Sequence, residues 1–148
     1  MTLFALNGVT LTVPGRRLID GLTLEITQGA VTALVGRNGS SKSTLLKLIA
    51  GQLRPDAGTI AHAGRPLPDW APRELARSIA YLPQVTPPAE GMRLAELVAL
   101  GRYPWRGALG RFRPEDHAAV EGAMDRCGLR PFADRLVDTL SGGERQRG

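Results

Sequence analysis

The sequence predicts an α/β fold, and two observations carry this prediction. Residues 30–35 are nearly all apolar, which is typical of a strand that is covered on both faces. A loop rich in glycine and serine at residues 36–41 and a short helix at residues 44–50 follow this strand directly. Buried strands followed by a loop and a helix belong to α/β sheets. The 148 residues, 43% apolar and 22% charged, suffice for one ordinary domain or most of a larger one.

Two further strands are predicted ahead of this unit. Apolar and polar residues alternate at residues 9–13 and again at residues 22–26, and Pro14 and Gly15 lie between the two runs. Alternation with a period of two indicates strands with one buried face, and a Pro–Gly pair favours a turn. We therefore expect a half-buried antiparallel pair before the buried strand, and Gly51 is expected to close the helix after it.

The middle of the chain predicts a turn, a short helix and a strand. Residues 55–58 have the composition of a turn, and Asp69 is expected to cap a short helix that contains Pro72 near its start. Residues 78–82 resemble another strand, which ends just before Gln84.

Two helices are predicted in the rest of the chain. The consecutive prolines at residues 87–88 mark a boundary, because proline ends both helices and strands. The apolar spacing at residues 94–101 fits one helix, and a second helix is expected to begin at Pro114 and to end at Gly128. The predicted apolar face of the second helix consists of Val120, Ala123, Met124 and Cys127.

Composition excludes several classes of protein. No run approaches the roughly 18 consecutive apolar residues of a membrane span, so the chain is not expected to cross a bilayer. The N-terminus lacks the basic start and apolar core of a signal peptide, so export is not expected. Cys127 is the only cysteine, which excludes an internal disulfide and fits a reducing compartment. The net charge of +5 is compatible with nucleic acid, an anionic membrane surface or nucleotide phosphates as the binding partner.

The strongest candidate site lies at residues 36–44. In a glycine-rich loop at a helix start, backbone N–H groups converge on phosphate oxygens and the helix dipole favours negative charge. Lys42 would reach the β- and γ-phosphates, and the Ser43 hydroxyl would ligate Mg²⁺. Lys42 is one of only two lysines in the chain, and it occupies the position that this chemistry requires. The predicted nucleotide-binding residues of the loop are Gly36, Arg37, Asn38, Gly39, Ser40, Ser41, Lys42, Ser43 and Thr44.

The loop departs from the phosphate-loop pattern at one position. The pattern has glycine immediately before the lysine, and this chain has Ser41 there. Serine keeps the N–H donor but adds a Cβ, and a positive φ at this position would cost of order 1 kcal/mol or more. We therefore expect nucleotide binding in a weakened form.

A second motif stands about a hundred residues further on. Ser141, Gly142, Gly143 and Glu144 follow Leu140, and two glycines after a serine at a helix start can bind an anion. Considered alone, these residues fit a simple loop and helix cap equally well. Together with the phosphate loop, they resemble the signature motif of the ATP-binding subunits of ABC transporters. Gln84 then corresponds to the family's Q-loop glutamine, whose implied roles are to arrange Mg²⁺ and the attacking water and to couple the site to the transmembrane partner.

The resemblance extends over essentially the whole chain. Residues 101–112, with 88–92 before them and 135–140 after them, are similar to the branch of the family that serves iron–siderophore uptake. Residues 13–16 agree with that branch, and the closest likeness is to import ATPases for ferric hydroxamates. The implied function is therefore an ATP hydrolase that couples ATP binding and hydrolysis to uptake of iron(III)–siderophore complexes.

The resemblance implies a domain with three parts, of which residues 1–148 lack the C-terminal portion. The expected fold is a P-loop nucleotide-binding domain of the ABC ATPase type, with an antiparallel β subdomain, a parallel-sheet core and a helical subdomain. Residues 1–86 would hold the β subdomain, the phosphate loop and the Q-loop, residues 87–140 the helical subdomain, and residues 141–148 the signature motif. In the family, the strand after the signature carries an aspartate and a glutamate that hold Mg²⁺ and act as general base. Residues 1–148 lack these carboxylates, so we expect them to bind ATP but to hydrolyse it poorly.

The resemblance also implies partners and a location. Two copies would pair head to tail, so that the phosphate loop of one and the signature motif of the other enclose ATP and Mg²⁺. The pair would dock on integral membrane permease subunits at the cytoplasmic face of the inner membrane, and a periplasmic-type substrate-binding protein would act indirectly. The turn near Pro14 lacks the aromatic residue that stacks on adenine in many such ATPases, so this contact is missing or comes from elsewhere.

Two alternatives from other functional classes stay open. One is a non-transport ABC ATPase that acts on nucleic acid, since the arginine and aromatic residues at 102–113 could stack on bases. No recognisable nucleic-acid-binding motif accompanies them, so we expect no nucleic acid partner. The other alternative is a truncated nucleotide-binding module without turnover. His62 and His117 are expected to be solvated, because neither has the spacing of a ligand or catalytic residue.

Overall fold

The computed structural model describes residues 1–84, 89–107 and 110–140. The chain divides into two compact units, Met1–Tyr81 and Leu82–Gly148, and each unit has a hydrophobic core of its own. The boundary predicted after residue 86 rested on the two prolines at 87–88, which lie outside the described residues. No helix in the described part of the chain is long and apolar enough to span a membrane.

The first unit is built on a four-stranded antiparallel sheet. Its strands lie in the order β2-β1-β3-β4, and β1 pairs with β2 on one side and β3 on the other. The predicted antiparallel pair is confirmed, and both strands are longer than the alternating runs that predicted them. Pro14 and Gly15, the latter with φ +75°, form the turn between them. The strands are β1 Thr2–Val13, β2 Arg16–Thr27, β3 Ala57–His62 and β4 Arg65–Pro66.

The first helix packs on this sheet and positions the predicted phosphate loop. Helix α1 spans Lys42–Ile49, so it begins two residues earlier than expected, and Gly51 follows its end with φ +70°. Its buried residues Leu45 and Leu48 join the core formed by the apolar face of β1. Burial of two leucines contributes roughly 3–6 kcal/mol, which is enough to anchor a helix of this length.

The second helix is confirmed, but its predicted cap is wrong. Helix α2 spans Pro72–Ser78, and its N-cap is Ala71 rather than Asp69. Asp69 lies in the preceding 3₁₀ turn, Leu67–Asp69. Pro72 occupies the first helical position, where its fixed φ suits the helix and its missing N–H is not needed. A side-chain cap is therefore less important at this helix start.

The strands predicted at residues 30–35 and 78–82 do not form in this structure. Residues 30–35 have no strand partner among the described residues, and Val31 and Val35 are 103% and 88% exposed. Ser78 is the last residue of helix α2, and residues 79–82 do not pair with a strand either. A parallel strand obtains its hydrogen bonds from neighbouring strands, so an apolar run without such a neighbour stays irregular. The sheet of the described residues is accordingly antiparallel throughout.

Strand β3 was not predicted, because its sequence reads as a turn. Residues 55–58 have turn composition, but β3 already begins at Ala57. Gly58 has φ +83°, and a Cβ at this position would overlap the backbone of Asn7 and Gly8 in β1. The glycine therefore permits a close approach of two strands rather than a change of direction.

The described residues of the second unit, 82–84, 89–107 and 110–140, form two helices and three 3₁₀ turns. The predicted helices are confirmed as α3 Leu94–Leu100 and α4 Pro114–Arg126. Cys127 is exposed, so its predicted place on the buried face is wrong. The residue caps α4 just before Gly128 turns the chain with φ +65°, and therefore lies beyond the packed face. The buried core residues are Leu94, Val120, Met124, Leu129 and Leu140, and the 3₁₀ turns are Tyr103–Trp105, Arg130–Phe132 and Val137–Thr139.

Candidate functional site

The predicted phosphate loop connects the end of the irregular segment to the start of α1. A backbone hydrogen bond from the Ser40 N–H to the Arg37 carbonyl, 3.2 Å long, closes a tight turn within the loop. Gly36 lies close to Ser40, since an added Cβ at Gly36 would be 2.9 Å from the Ser40 hydroxyl oxygen. Residues 36–40 are exposed, so a ligand has open access to this loop.

The Lys42 ammonium lies inside the loop. Its Nζ donates hydrogen bonds of 2.7 Å to the carbonyl oxygens of Gly36 and Arg37. The third contact, to the Ser40 hydroxyl, is longer at 3.3 Å. An ammonium has three donors, so two of them hold the loop closed while the weakest contact can be exchanged for a phosphate oxygen.

The start of α1 adds backbone donors to the same place. The N–H groups of Lys42, Ser43 and Thr44 lie in the first helical turn and have no acceptor within the helix. The helical ladder begins with the Leu45 N–H, which donates to the Ser41 carbonyl at 2.9 Å. The first turn contains no acidic side chain, so nothing on the helix competes with a bound anion. The lysine and the free N–H groups together form an anion-binding cradle.

Ser41 adopts the conformation that favours glycine. Its backbone has φ 62° and ψ 20°, in the left-handed region, and it is the N-cap of α1 without a side-chain cap hydrogen bond. For a residue with a Cβ this conformation costs of order 1 kcal/mol or more. The serine at this position therefore strains the loop at the place where the pattern has glycine.

The residues present fit ATP with Mg²⁺. The cradle offers an ammonium and unpaired N–H groups to phosphate oxygens, and Ser43 places an exposed hydroxyl beside them. The described ranges hold no cluster of three or more His, Cys, Asp or Glu side chains that could bind a metal without the nucleotide. Magnesium takes several of its ligands from substrate phosphates and water, so one serine hydroxyl suits a phosphate-bound ion.

The remaining predicted site residues stay untested. Gln84 is exposed and belongs to the second unit, and its roles toward Mg²⁺ and water stay predictions. The signature residues Ser141, Gly142, Gly143 and Glu144 lie outside the described residues. The observed site therefore consists of residues 36–44.

One contact at this site was missed by sequence reasoning. The guanidinium Nη2 of Arg16, at the start of β2, donates to the Gly39 carbonyl at 3.1 Å. A cavity of about 410 Å³ also borders Lys42 on the side of β2, with Leu18, Ile19 and Leu45 among its lining residues. The arginine contact forms because the fold brings the β1–β2 turn close to the loop. The sequence therefore carries no signal for it.

His62 is buried, so the expectation that it is solvated is wrong. The side chain is 4% exposed and lies between the rings of Phe4 and Trp70, with centroids 4.7 and 5.2 Å away. Its Nε2 is 2.5 Å from the Ser78 hydroxyl oxygen. The residue is buried because it belongs to β3, which the sequence did not predict. Alternation of Ile60 and His62 along that strand was the signal that could have found it.

Four of the arginine and aromatic residues at 102–113 form two arginine–ring contacts within the second unit. The Arg102 guanidinium lies 4.4 Å from the Trp105 ring centroid, and that of Arg106 lies 4.8 Å from the Phe112 centroid. Arg102 also forms a 2.8 Å ion pair with the buried Asp116. These two arginines and two rings are thus paired with each other within the unit.

Asp116 caps α4 as well as pairing with Arg102. The Arg113 N–H donates to its Oδ2 at 3.0 Å, and this backbone hydrogen bond is the main reason that the pKa of Asp116 lies below its ordinary value. The Arg102 guanidinium lowers the pKa further by its hydrogen bond and its charge, against the opposing effect of burial. The carboxylate therefore stays ionised and fixes the helix start.

Comparison with known proteins identifies a family that includes most of this chain. Residues 19–148 match the family described as ABC transporter. A hemin import ATP-binding protein of Gloeobacter violaceus is 43% identical over 141 residues, covering 95% of this chain and 50% of the relative. An iron(3+)-hydroxamate import ATP-binding protein of Bacillus subtilis is 34% identical over 132 residues, covering 89% and 49%. The chain thus spans about half the length of the curated relatives it matches.

Solved structures agree with the sequence matches. A nucleotide-free ATP-binding cassette from an ABC transporter superposes with a TM-score of 0.75 at 25% sequence identity. The match covers 99% of this chain and 65% of that structure. The described fold is therefore that of an ATP-binding cassette.

Proposed function

The chain belongs to the ABC transporter family, and from this premise we propose that it is part of the ATP-binding subunit of an importer for iron chelates. The observation that carries the proposal is the cradle at residues 36–44. There the Lys42 ammonium lies 2.7 Å from two loop carbonyls, at the start of a helix with unpaired N–H groups. This arrangement is suited to the β- and γ-phosphates of ATP.

Four of the predicted site residues have definite tasks in this proposal. Lys42 neutralises the phosphates, and the N–H groups of the first turn of α1 orient them. The Ser43 hydroxyl holds Mg²⁺, which when bound neutralises charge on the transferred phosphoryl group. Gln84 positions the attacking water and links the site to the membrane partner. The Cβ of Ser41 limits how closely the loop backbone approaches a phosphate, so it weakens nucleotide binding without abolishing it.

The proposed cargo is an iron(III)–siderophore of the hydroxamate type. The likeness of residues 101–112 and 135–140 to that branch supports this choice, and so does the hydroxamate import relative. The hemin import relative is more similar over its aligned length, so hemin is the competing cargo. In either case the cargo contacts the permease and its binding protein rather than this chain.

The proposed assembly has two copies of the subunit. They pair head to tail, so that residues 36–44 of one copy and Ser141, Gly142 and Gly143 of the other enclose each ATP. The pair docks on permease subunits at the cytoplasmic face of the inner membrane. Closure of the pair on ATP and its opening after hydrolysis then drive the permease between its two states.

Uptake by cells tests this function. Cells that depend on the protein would be given radioactive iron as a ferric hydroxamate or as hemin, with the wild type, Lys42→Ala or Lys47→Ala. Lys47 is the matched control, because it is the other lysine, lies on the same helix and is exposed. We expect Lys42→Ala to abolish hydroxamate uptake and Lys47→Ala to leave it unchanged.

Other outcomes separate the parts of the proposal. Uptake of hemin alone, with the same dependence on Lys42, would overturn the cargo and keep the importer. Uptake of both chelates that is indifferent to Lys42→Ala would overturn the ATP-driven import itself. Hydrolysis of ATP that is stimulated by DNA or RNA would favour the nucleic-acid alternative instead.

A further inference from the structure

Arg16 is connected to the Lys42 ammonium by a series of three hydrogen bonds. Its Nη2 donates to the Gly39 carbonyl oxygen at 3.1 Å. The peptide group that carries this carbonyl also carries the Ser40 N–H, which donates to the Arg37 carbonyl oxygen at 3.2 Å. The same Arg37 oxygen accepts one of the 2.7 Å hydrogen bonds from Lys42 Nζ. One peptide plane and one carbonyl oxygen therefore separate the arginine from the ammonium.

The peptide between Gly39 and Ser40 depends on these hydrogen bonds for its orientation. Gly39 has φ +80°, in a region that glycine enters about as readily as the region of negative φ. A Cβ built on Gly39 would meet no described atom within 4 Å outside the neighbouring residues, so packing does not hold the peptide in place. Its C=O group is held by Arg16 and its N–H group by Arg37.

A flip of this peptide would bring a carbonyl oxygen to the wrong side. In a trans peptide the C=O and N–H groups point in opposite directions, so a half-turn of the plane exchanges their directions. The Gly39 oxygen would then point toward the Arg37 oxygen and the ammonium bonded to it. There it would compete with phosphate oxygens for the Lys42 donor that now has its weakest contact, 3.3 Å to the Ser40 hydroxyl. The hydrogen bond from Arg16 exists only in the observed orientation, so it opposes the flip.

The sheet gives Arg16 a fixed base from which to hold the loop. Arg16 pairs with Val13 in the ladder between β1 and β2, next to the turn that joins the two strands. Among the described residues its guanidinium forms no ion pair, whereas the neighbouring Arg17 is paired with Asp20 at 2.9 Å. The recorded acceptor of the Arg16 side chain is the Gly39 carbonyl, so its contact is directed at the loop.

We propose that Arg16 is a positioning residue of the phosphate loop. It holds the Gly39–Ser40 peptide in the orientation that leaves the Lys42 ammonium available to the phosphates of ATP. This inference rests on the proposed function, because it assumes that ATP occupies the cradle at residues 36–44. Arg16 acts through Gly39 and not through the nucleotide, so its removal weakens binding of the phosphate chain whatever is attached to it.

Titration by calorimetry tests this role with two ligands that share a chain of three phosphates. ATP and inorganic tripolyphosphate, each with Mg²⁺, are titrated into the purified wild type, Arg16→Ala and Arg17→Ala at low and at high salt. Arg17→Ala is the matched control, because it removes an adjacent side chain of equal charge whose recorded partner is Asp20. We expect Arg16→Ala to bind both ligands about fivefold more weakly at either salt concentration, and Arg17→Ala to bind them as the wild type does.

Hydrogen exchange in the free protein examines the peptide itself. We expect the Ser40 amide, followed by NMR, to exchange faster in Arg16→Ala than in the wild type. The Leu45 amide, which donates to the Ser41 carbonyl at 2.9 Å in α1, should exchange at the same rate in both proteins. A general loss of stability would accelerate both amides, so this pair separates positioning from a purely structural role.

Four results would overturn the positioning role. They are weakening for ATP alone, weakening that disappears at high salt and is therefore an effect of charge, unchanged affinity for both ligands, and a Ser40 amide that exchanges no faster than in the wild type or only together with Leu45. A wild-type protein that binds neither ligand would refute the proposed function itself. Thermal melting shows whether each variant is folded. If Arg16→Ala unfolds, Arg16→Met takes its place, because methionine keeps most of the alkyl stem and has no donor.

Discussion

Ser41 is the residue at which the phosphate loop differs from its pattern. The serine has φ 62°, so its Cβ lies in a backbone conformation that glycine adopts without strain. The same Cβ restricts how closely the loop backbone can approach a phosphate. The residue thus links one difference in sequence to the strength of nucleotide binding.

Replacement of this serine tests that link. We expect Ser41→Gly to bind ATP about fivefold more tightly, because loss of the Cβ lets the loop backbone approach the phosphate oxygens more closely. Ser41→Ala is the control, because it removes the hydroxyl but keeps the Cβ, and its affinity should not improve. Titration with ATP measures both variants. Equal affinity of Ser41→Gly and the wild type would contradict a cost at this residue.

Single residues were predictable where a short motif determines their surroundings. The position of Lys42 and Ser43 at the start of a helix could be predicted from the sequence, because the loop and the helix that place them are local. His62 and Arg16 could not, because their surroundings come from strands distant in sequence. His62 is buried by its neighbours on the sheet. Arg16 donates to the Gly39 carbonyl because the folded chain brings together residues that are distant in sequence.

Among the elements, helices α3 and α4 were predicted well and the strands only in part. The apolar spacing of a helix is local, and the alternation in β1 and β2 needs only one buried face. Residues 30–35 are apolar enough for a central strand, but a central strand requires partners, and the described residues supply none. Strand β3 was missed for the opposite reason, since Gly58 suggests a turn while its contact with β1 makes a strand.

The start of helix α4 gives a prediction about acid stability. The folded-state pKa of Asp116 is lowered from 3.8, so its ionised form stabilises the fold. This stabilisation is fully present above about pH 4, the pKa of an unfolded aspartate, and is lost as the pH falls through the lower folded-state pKa. We expect Asp116→Asn to lower the melting temperature at neutral pH. We also expect the melting temperature of this variant to fall less than that of the wild type as the pH is lowered.

An exposed aspartate supplies the control for this prediction. Asp134 pairs with Arg93 at 3.5 Å, but its side chain is 93% exposed, so Asp134→Asn should change the melting temperature little at any pH. Thermal melts from pH 7 to pH 2 would compare the three proteins. An Asp116→Asn protein whose melting curve against pH is parallel to that of the wild type would refute the role of this carboxylate.

At the scale of the whole molecule, the fold class and the family agree between sequence and structure. The family match over residues 19–148 and the superposition on an ATP-binding cassette both confirm the predicted type of domain. The parallel-sheet core is the part of that prediction that the described residues do not form. Its apolar segment leaves Val31 and Val35 exposed, which shows that burial in this fold depends on partners rather than on the segment's own sequence.

The whole account depends on one local arrangement within that fold. The described residues place an ammonium, unpaired N–H groups and a serine hydroxyl around residues 36–44, and every proposed activity requires ATP to bind there. The import of iron chelates and the pairing of two copies both depend on this binding. The central claim is therefore about the ligand of the cradle.

Titration of the purified protein with ATP and Mg²⁺ tests this claim most directly. We expect saturable binding to the wild type, unchanged binding to Lys47→Ala, and a loss of at least a hundredfold in affinity for Lys42→Ala, because that change leaves the phosphates without their ammonium partner. Thermal melting would establish that all three proteins are folded. Saturable binding of equal affinity to Lys42→Ala, or no binding to the folded wild type, would contradict the account.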